Sequence, residues 1–141
     1  MSYVRTLIAV ADDCPATRSL IPPRRGDKAT VAFLQYEMLA SAPYTHTQED
    51  VLFQCWLARQ EGLEHLDPNE VARLREGFFS KPQACLRASP LPRRYGWGLL
   101  FDAHGRIALC AMESIEYQEI VRGQRSGISV IKAMRSRRAG T

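Results

Sequence analysis

The spacing of apolar residues changes period along the chain. Tyr3 to Ala11 (YVRTLIAVA) is apolar and β-branched and reads as a strand, closed by Asp12-Asp13-Cys14-Pro15. Residues 15–28 hold Pro15, Pro22, Pro23 and Gly26 with Arg18, Arg24, Arg25 and Lys28, the composition of an extended loop. From Thr30 the period becomes helical. Val31, Leu34 and Met38 form a stripe widened by Phe33, Tyr36 and Leu39, with Thr30 as N-cap and Pro43 as the stop. Thr47 opens a second helix, with Glu49 and Asp50 in its first turn and Val51, Leu52, Cys55, Trp56 and Arg59 along one side. Asp67-Pro68-Asn69-Glu70 is a helix start, followed by Val71, Leu74 and Phe78. Three consecutive amphipathic helices are therefore expected over 30–42, 48–61 and 68–79.

The second half returns to strands. Residues 83–89 (QACLRAS) alternate weakly and suggest an edge strand closed off by Pro90 and Pro92. Residues 95–101 and 106–112 read as a hairpin joined by Asp102-Ala103-His104-Gly105. Ser114 is the N-cap of a short helix over 115–121, and 128–134 (ISVIKAM) is a last strand. Elements of one kind are grouped rather than alternating. The expected fold is α+β: a mainly antiparallel sheet of three to five strands, covered on one face by the three helices plus the short C-terminal one.

Length and composition narrow the class. The 141 residues are 45% apolar and 24% charged, enough for one globular domain over 1–134, with a basic tail over 135–141 expected to fray. The apolar runs are too short for a membrane span, and the N-terminus lacks a signal-peptide layout, so the expected location is cytoplasmic. The net charge of +4 is unevenly spread. After Glu119 there are six cations and no acid, whereas residues 1–119 carry 13 basic and 15 acidic groups. Such an end suits phosphate, RNA or an acidic surface, or simply solvent. Cys14, Cys55, Cys85 and Cys110 form no close pair, and His46, His65 and His104 sit at no ligand spacing, so neither metal nor cofactor is expected.

Several stretches together carry a resemblance: DDCP (12–15), PPRRG (22–26), TVAFLQYEML (30–39), PYTHTQEDVLF (43–53), FFSKPQACLRASPLPRRYGWGLLFD (78–102) and KAMRSR (132–137). The chain resembles a family of short, single-domain, mostly bacterial proteins known as domain of unknown function six-one-five-seven. That resemblance implies a stand-alone cytoplasmic domain and supplies no activity, ligand or catalytic residue.

Chemistry must then come from the residues. Between Gly77 and Phe101 lie Lys81, Arg87, Arg93 and Arg94 with no acid, and Tyr95 and Trp97 follow the last two cations. Arginine presents a planar fork suited to phosphate or carboxylate, and aromatic rings offer stacking faces. Lys81, Arg87, Arg93, Arg94, Tyr95 and Trp97 are therefore the candidate ligand-binding residues. The competing reading pairs these cations with Glu49, Asp50 or Glu76 on the helices. Cys85, between Lys81 and Arg87, is a candidate reactive thiol with His104 as a remote base, or a buried structural cysteine. Ser80-Lys81 lacks the surroundings of a nucleophile pair, and Asp12-Asp13 reads as a turn or cap rather than a metal site. Three functions result: a domain binding a small anion, a small enzyme acting on a phosphorylated or carboxylated substrate, and a nucleic-acid-associated factor using the basic residues over 122–138.

Overall fold

A computed structural model describes residues 3–26, 29–63 and 65–136. Its elements are β1 (Thr6–Ala9), α1 (Val31–Ser41), α2 (Gln48–Ala58), α3 (Pro68–Phe79), a 3-10 turn (Leu86–Ala88), α4 (Pro90–Arg94), β2 (Trp97–Phe101), β3 (Ile107–Ala111), α5 (Ile115–Val121) and β4 (Ser129–Lys132). The expected α+β class holds. The four strands are ordered β3-β2-β1-β4.

The expectation of a mainly antiparallel sheet is met in part: two of the three strand pairings are antiparallel, but the sheet is mixed. β2 is antiparallel to both β3 and β1, but β4 lies parallel to β1, pairing Thr6 with Ser129 and Ala9 with Lys132. Its chain crosses over through α5, as a parallel neighbour requires.

Strand alternation assigns the two faces. Ile8, Leu99, Phe101 and Ile107 point to one side, where they meet Leu39 of α1, Val51 and Cys55 of α2, and Leu86 and Leu91. Leu7, Ala9, Leu100 and Cys110 point to the other, where Tyr117 and Ile120 of α5 cover them. Each fully buried aliphatic side chain contributes on the order of 1.5–3 kcal/mol. The short C-terminal helix thus covers the opposite face from the others. The third helix also departs from expectation: α3 has no buried residue and stands on α2 rather than on the sheet. Phe78 makes ring contacts with Phe53 at 5.8 Å and Trp56 at 5.3 Å. Arg75 of α3 pairs with Asp50 of α2 at 3.1 Å.

Residues 83–89 form no strand. Leu86–Ala88 is a single 3-10 turn, and Pro90, read as a strand breaker, instead begins α4. Ser89 Oγ accepts from the Leu91 N–H at 3.2 Å, and Pro90 sits in the first turn, where its missing N–H costs nothing. Two buried glutamines fasten this segment to the helices. The Leu86 N–H donates to Gln48 Oε1 at 2.8 Å, and Ser89 Oγ donates to Gln35 Oε1 at 2.6 Å.

β2 begins at Trp97, two residues later than expected, because Tyr95 caps α4 and Gly96 turns the chain at φ +74°. A Cβ at Gly96 would stand 2.5 Å from Arg18 O, so only glycine admits the loop there. At Gly98 a Cβ would stand 2.9 Å from the Tyr117 ring, so that glycine lets α5 close on the sheet. The expected frayed tail lies outside the described residues from 137 onward; Ser136 N–H donates to both carboxylate oxygens of Asp13, at 3.2 and 2.9 Å.

Candidate functional site

Three arginines from three separate elements converge on the first turn of α1. Arg25 from the proline-rich loop, Arg59 at the C-terminus of α2 and Arg94 at the end of α4 line a cavity of about 440 Å³. Thr30, Val31 and Ala32 at the start of α1 form one wall, and Tyr95 with Pro90 another. None of the described residues lining it is acidic. Among the described residues, none of the three guanidinium groups makes an ion pair.

Local structure accounts for each wall. Thr30 Oγ1 accepts from the Phe33 N–H at 3.2 Å, which fixes the start of α1. The N–H groups of Val31 and Ala32 precede the first intrahelical donor and have no acceptor within the helix. α2, α3 and α5 each place an acid in the first turn, whereas α1 has none. The positive end of its dipole is therefore uncompensated by its own sequence. Arg59 occupies the C-cap of α2, where a cation suits the negative end. Arg94 and Tyr95 close α4, with the Tyr95 N–H returned to Leu91 O at 3.1 Å.

The loop carrying Arg25 is held in place upstream. The Leu20 N–H donates to Tyr95 O at 2.9 Å, and Trp97 Nε1 donates to Leu20 O at 2.8 Å. Ser19 adds two bonds to Glu113, from its N–H at 2.8 Å and from Oγ at 2.7 Å. Those Ser19 donors hold the Glu113 carboxyl below its ordinary range.

Only two of the six expected ligand residues reach this cavity, Arg94 and Tyr95. Trp97 spends its N–H on Leu20 and packs against Tyr36 at 5.6 Å. Arg87 Nε donates to Lys132 O at 2.9 Å, joining the 3-10 turn to β4. Arg93 reaches Ala88 O and Ser136 Oγ, each at 3.4 Å, and its Nε is buried with no hydrogen-bond partner among the described residues. Lys81 is exposed beyond the end of α3. None of these four cations pairs with a described carboxylate; Asp50 pairs with Arg75 instead. Arg25 and Arg59, which also line the cavity, were not among the expected residues. The legible signal was the acid-free first turn after Thr30, with Arg24 and Arg25 just upstream.

The other candidates have structural employment. Cys85 Sγ lies 3.5 Å from Tyr3 Oη. His104 sits in the hairpin loop, its N–H given to Asp102 Oδ1 at 2.8 Å. Ser80 Oγ donates to Gly77 O at 2.6 Å and ends α3. Asp12 pairs with Lys132 at 2.6 Å. Ser41, His46 and Asp50 line one groove between α1 and α2, in the residue types of a catalytic triad. Their bonds go elsewhere: Ser41 Oγ donates to Glu37 O at 2.6 Å, and Asp50 accepts from the Thr47 N–H at 3.0 Å and from Arg75.

One further cavity, of about 650 Å³, is lined by Arg5, Tyr44, Asp102, Glu116 and Ser126 above an apolar floor of Leu100, Phe101 and Ile128. Among the described residues, Arg5 (φ 43°) and Tyr44 (φ 55°) are the non-glycine residues with left-handed backbone. Hydrogen bonds hold both: Arg5 N–H to Asp102 O at 3.0 Å, and Tyr44 N–H to Ile107 O at 2.9 Å. The acids here are engaged. Glu116 pairs with Arg125 at 3.3 Å, and Asp102 Oδ1 accepts from the N–H groups of His104 and Arg106. Burial pushes the Tyr44 phenol up, and the Glu116 carboxylate adds to it.

Among the described residues no group of histidine, cysteine and acidic side chains is arranged to hold a metal ion, and no helix is long and apolar enough to cross a membrane. A family model matches residues 1–139, so the chain belongs to the Family of unknown function (DUF6157). No curated protein and no solved structure matches it.

Proposed function

We propose that this domain binds a small anion bearing a phosphate or carboxylate group in the cavity at the start of α1. Arg25, Arg59 and Arg94 supply charge and hydrogen-bond forks, Val31 and Ala32 supply backbone donors, and Tyr95 supplies an aromatic wall. The observation that carries the reading is the convergence of three guanidinium groups on a helix N-terminus, with no carboxylate among the described lining residues. Like charges held together in this way repel, and an anion relieves the repulsion while accepting their donors. The six-residue site expected from sequence is replaced by one that keeps Arg94 and Tyr95.

The nucleic-acid reading loses support at two of the six cations after Glu119, which are engaged by acids of the same chain. Arg125 is held by Glu116 and Glu119, and Lys132 by Asp12. Among the described lining residues beside the three arginines there is no histidine, cysteine or carboxylate to serve an enzyme as base or thiol nucleophile.

Thermal unfolding with added anions tests the proposal, because a ligand that binds only the folded state raises Tm. A shift of several degrees from at least one small phosphate or carboxylate is expected, and it is lost in the Arg59→Ala/Arg94→Ala double variant. No shift from any of them overturns the reading.

A further inference from the structure

The cavity at the start of α1 depends on a segment with little packing of its own. Residues 17–26 run across the body as a strap that carries Arg25. Of these residues only Pro22 is buried; Leu20 and Ile21 are 47% and 65% exposed. A segment that buries so little apolar surface is held by its hydrogen bonds. We infer that Glu113 is a positioning residue for the cavity: its carboxylate latches the strap to the body and so sets where Arg25 stands. This step rests on the anion-binding reading above.

The latch stands on rigid elements. Glu113 lies between the end of β3 and Ser114, the N-cap of α5. Its neighbour Met112 is fixed from two sides, the N–H donating to Gly96 O at 3.1 Å and the carbonyl accepting from Gln118 Nε2 at 2.7 Å. Glu113 meets Ser19 across 94 residues of sequence. The Ser19 N–H donates to one carboxylate oxygen at 2.8 Å and Ser19 Oγ to the other at 2.7 Å. Hydrogen bonds to an ionised carboxylate are roughly twice as strong as neutral ones. The next residue is fastened by two neutral bonds, from the Leu20 N–H to Tyr95 O and from Trp97 Nε1 to Leu20 O.

Stiffness carries that hold to the cavity. Pro22 and Pro23 fix two successive φ angles between Leu20 and Arg25, so a displacement at one end is not absorbed on the way to the other. Thr30, the N-cap of α1, donates from Oγ1 to Pro23 O at 3.4 Å, and the Arg24 guanidinium lies 5.0 Å over the Phe33 ring. The strap therefore joins the β3–α5 turn at one end to the wall of the cavity at the other. Loss of the latch frees the base of this span, and Arg25 then samples positions away from Arg59 and Arg94.

Two measurements on the full chain test this. In limited digestion with trypsin, followed by mass spectrometry, Glu113→Ala should speed cleavage after Arg24 and Arg25 by about fivefold or more, with cleavage after Arg73 on α3 unchanged. Ser19→Ala, which keeps the N–H bond, should give a smaller change of the same sign. In calorimetric titration with inorganic phosphate and with citrate, Glu113→Ala should weaken binding several-fold, both alone and added to Arg59→Ala. Added to Arg25→Ala it should change nothing, because a latch that acts through Arg25 has nothing to position once that side chain is gone. Unchanged cleavage after Arg24 and Arg25 overturns the latch. Equal weakening in the Arg25→Ala and Arg59→Ala backgrounds overturns its action through Arg25. Binding of phosphate or citrate that Glu113→Ala leaves unaltered overturns the positioning role and leaves the anion site standing, whereas a protein that binds neither overturns the anion reading and the positioning role with it.

Discussion

The two cavities at opposite ends of α1 are built on contrary principles. At its N-terminus three exposed arginines, Arg25, Arg59 and Arg94, line a space of about 440 Å³ without an ion pair among the described residues. Beyond its C-terminus the charges are matched and the backbone is forced. Glu116 is tied to Arg125 and Asp102 to the hairpin amides, while Arg5 and Tyr44 are held left-handed by bonds to Asp102 O and Ile107 O. Unfavourable free energy stored in side-chain charge can be released by a solute. Energy stored in φ can be released only by a change of residue or of fold. By that criterion the first cavity is the one the proposed anion would relieve, although the second is larger and more apolar.

The contrast can be broken most directly at Tyr44. A left-handed conformation costs a non-glycine residue about 1–2 kcal/mol. Tyr44→Gly should therefore be more stable than Tyr44→Ala by about 1 kcal/mol in urea unfolding, because the two variants differ in backbone freedom while both lose the ring. Equal stability would remove strain from the description of that cavity.

Neutralising charge should act oppositely at the two ends. Without added anion, Arg59→Ala/Arg94→Ala should leave Tm unchanged or raise it slightly, since it relieves repulsion. Glu116→Gln should lower stability by up to about 1 kcal/mol, the scale of an exposed ion pair, with Arg125 still held by Glu119. A double variant that unfolds more readily than Glu116→Gln would show those arginines to be structural.

The smallest effect is in pH. Burial alone would raise the Asp102 carboxyl, but the Arg106 and His104 amides prevail and hold it below its ordinary value. Asp50 behaves alike: burial would raise it, and the Thr47 amide and hydroxyl with Arg75 bring it down. A carboxyl lowered in the folded state is protonated first in the unfolded chain. Its contribution is complete above the ordinary carboxylate pKa near 4 and declines as pH falls through the folded value. Tm should accordingly fall below about pH 4, with a shallower slope in Asp102→Asn.

Local chemistry explains what was legible in the sequence. The Asp67-Pro68-Asn69-Glu70 start located α3 to its first residue, and the hairpin about Asp102–Gly105 was evident from its flanking apolar runs. Pro90 carries the same helix-opening chemistry as Pro68, yet weak alternation before it disguised α4 as the end of a strand. The direction of β4 is not written in residues 128–134, because parallel pairing with β1 depends on the crossover through α5. The same limit governed the site. Arg94 and Tyr95 are adjacent in the chain and were read together. Arg25 and Arg59 join them only after the proline-rich loop docks through Leu20 on Tyr95 and Trp97 and α2 runs its course.

The central position of β1 also shapes how the chain comes to be folded. Its antiparallel partner begins at Trp97 and its parallel partner at Ser129, so neither edge of the earliest strand can pair until most of the sequence has been synthesised. Leu7 and Ile8, fully buried in the finished sheet, are meanwhile exposed on the nascent chain. Contacts so distant in sequence close slowly, and an unpaired apolar strand is a site for misassembly while it waits. For this domain, the interval between emergence of the first strand and arrival of the last is the period in which a chaperone would matter most.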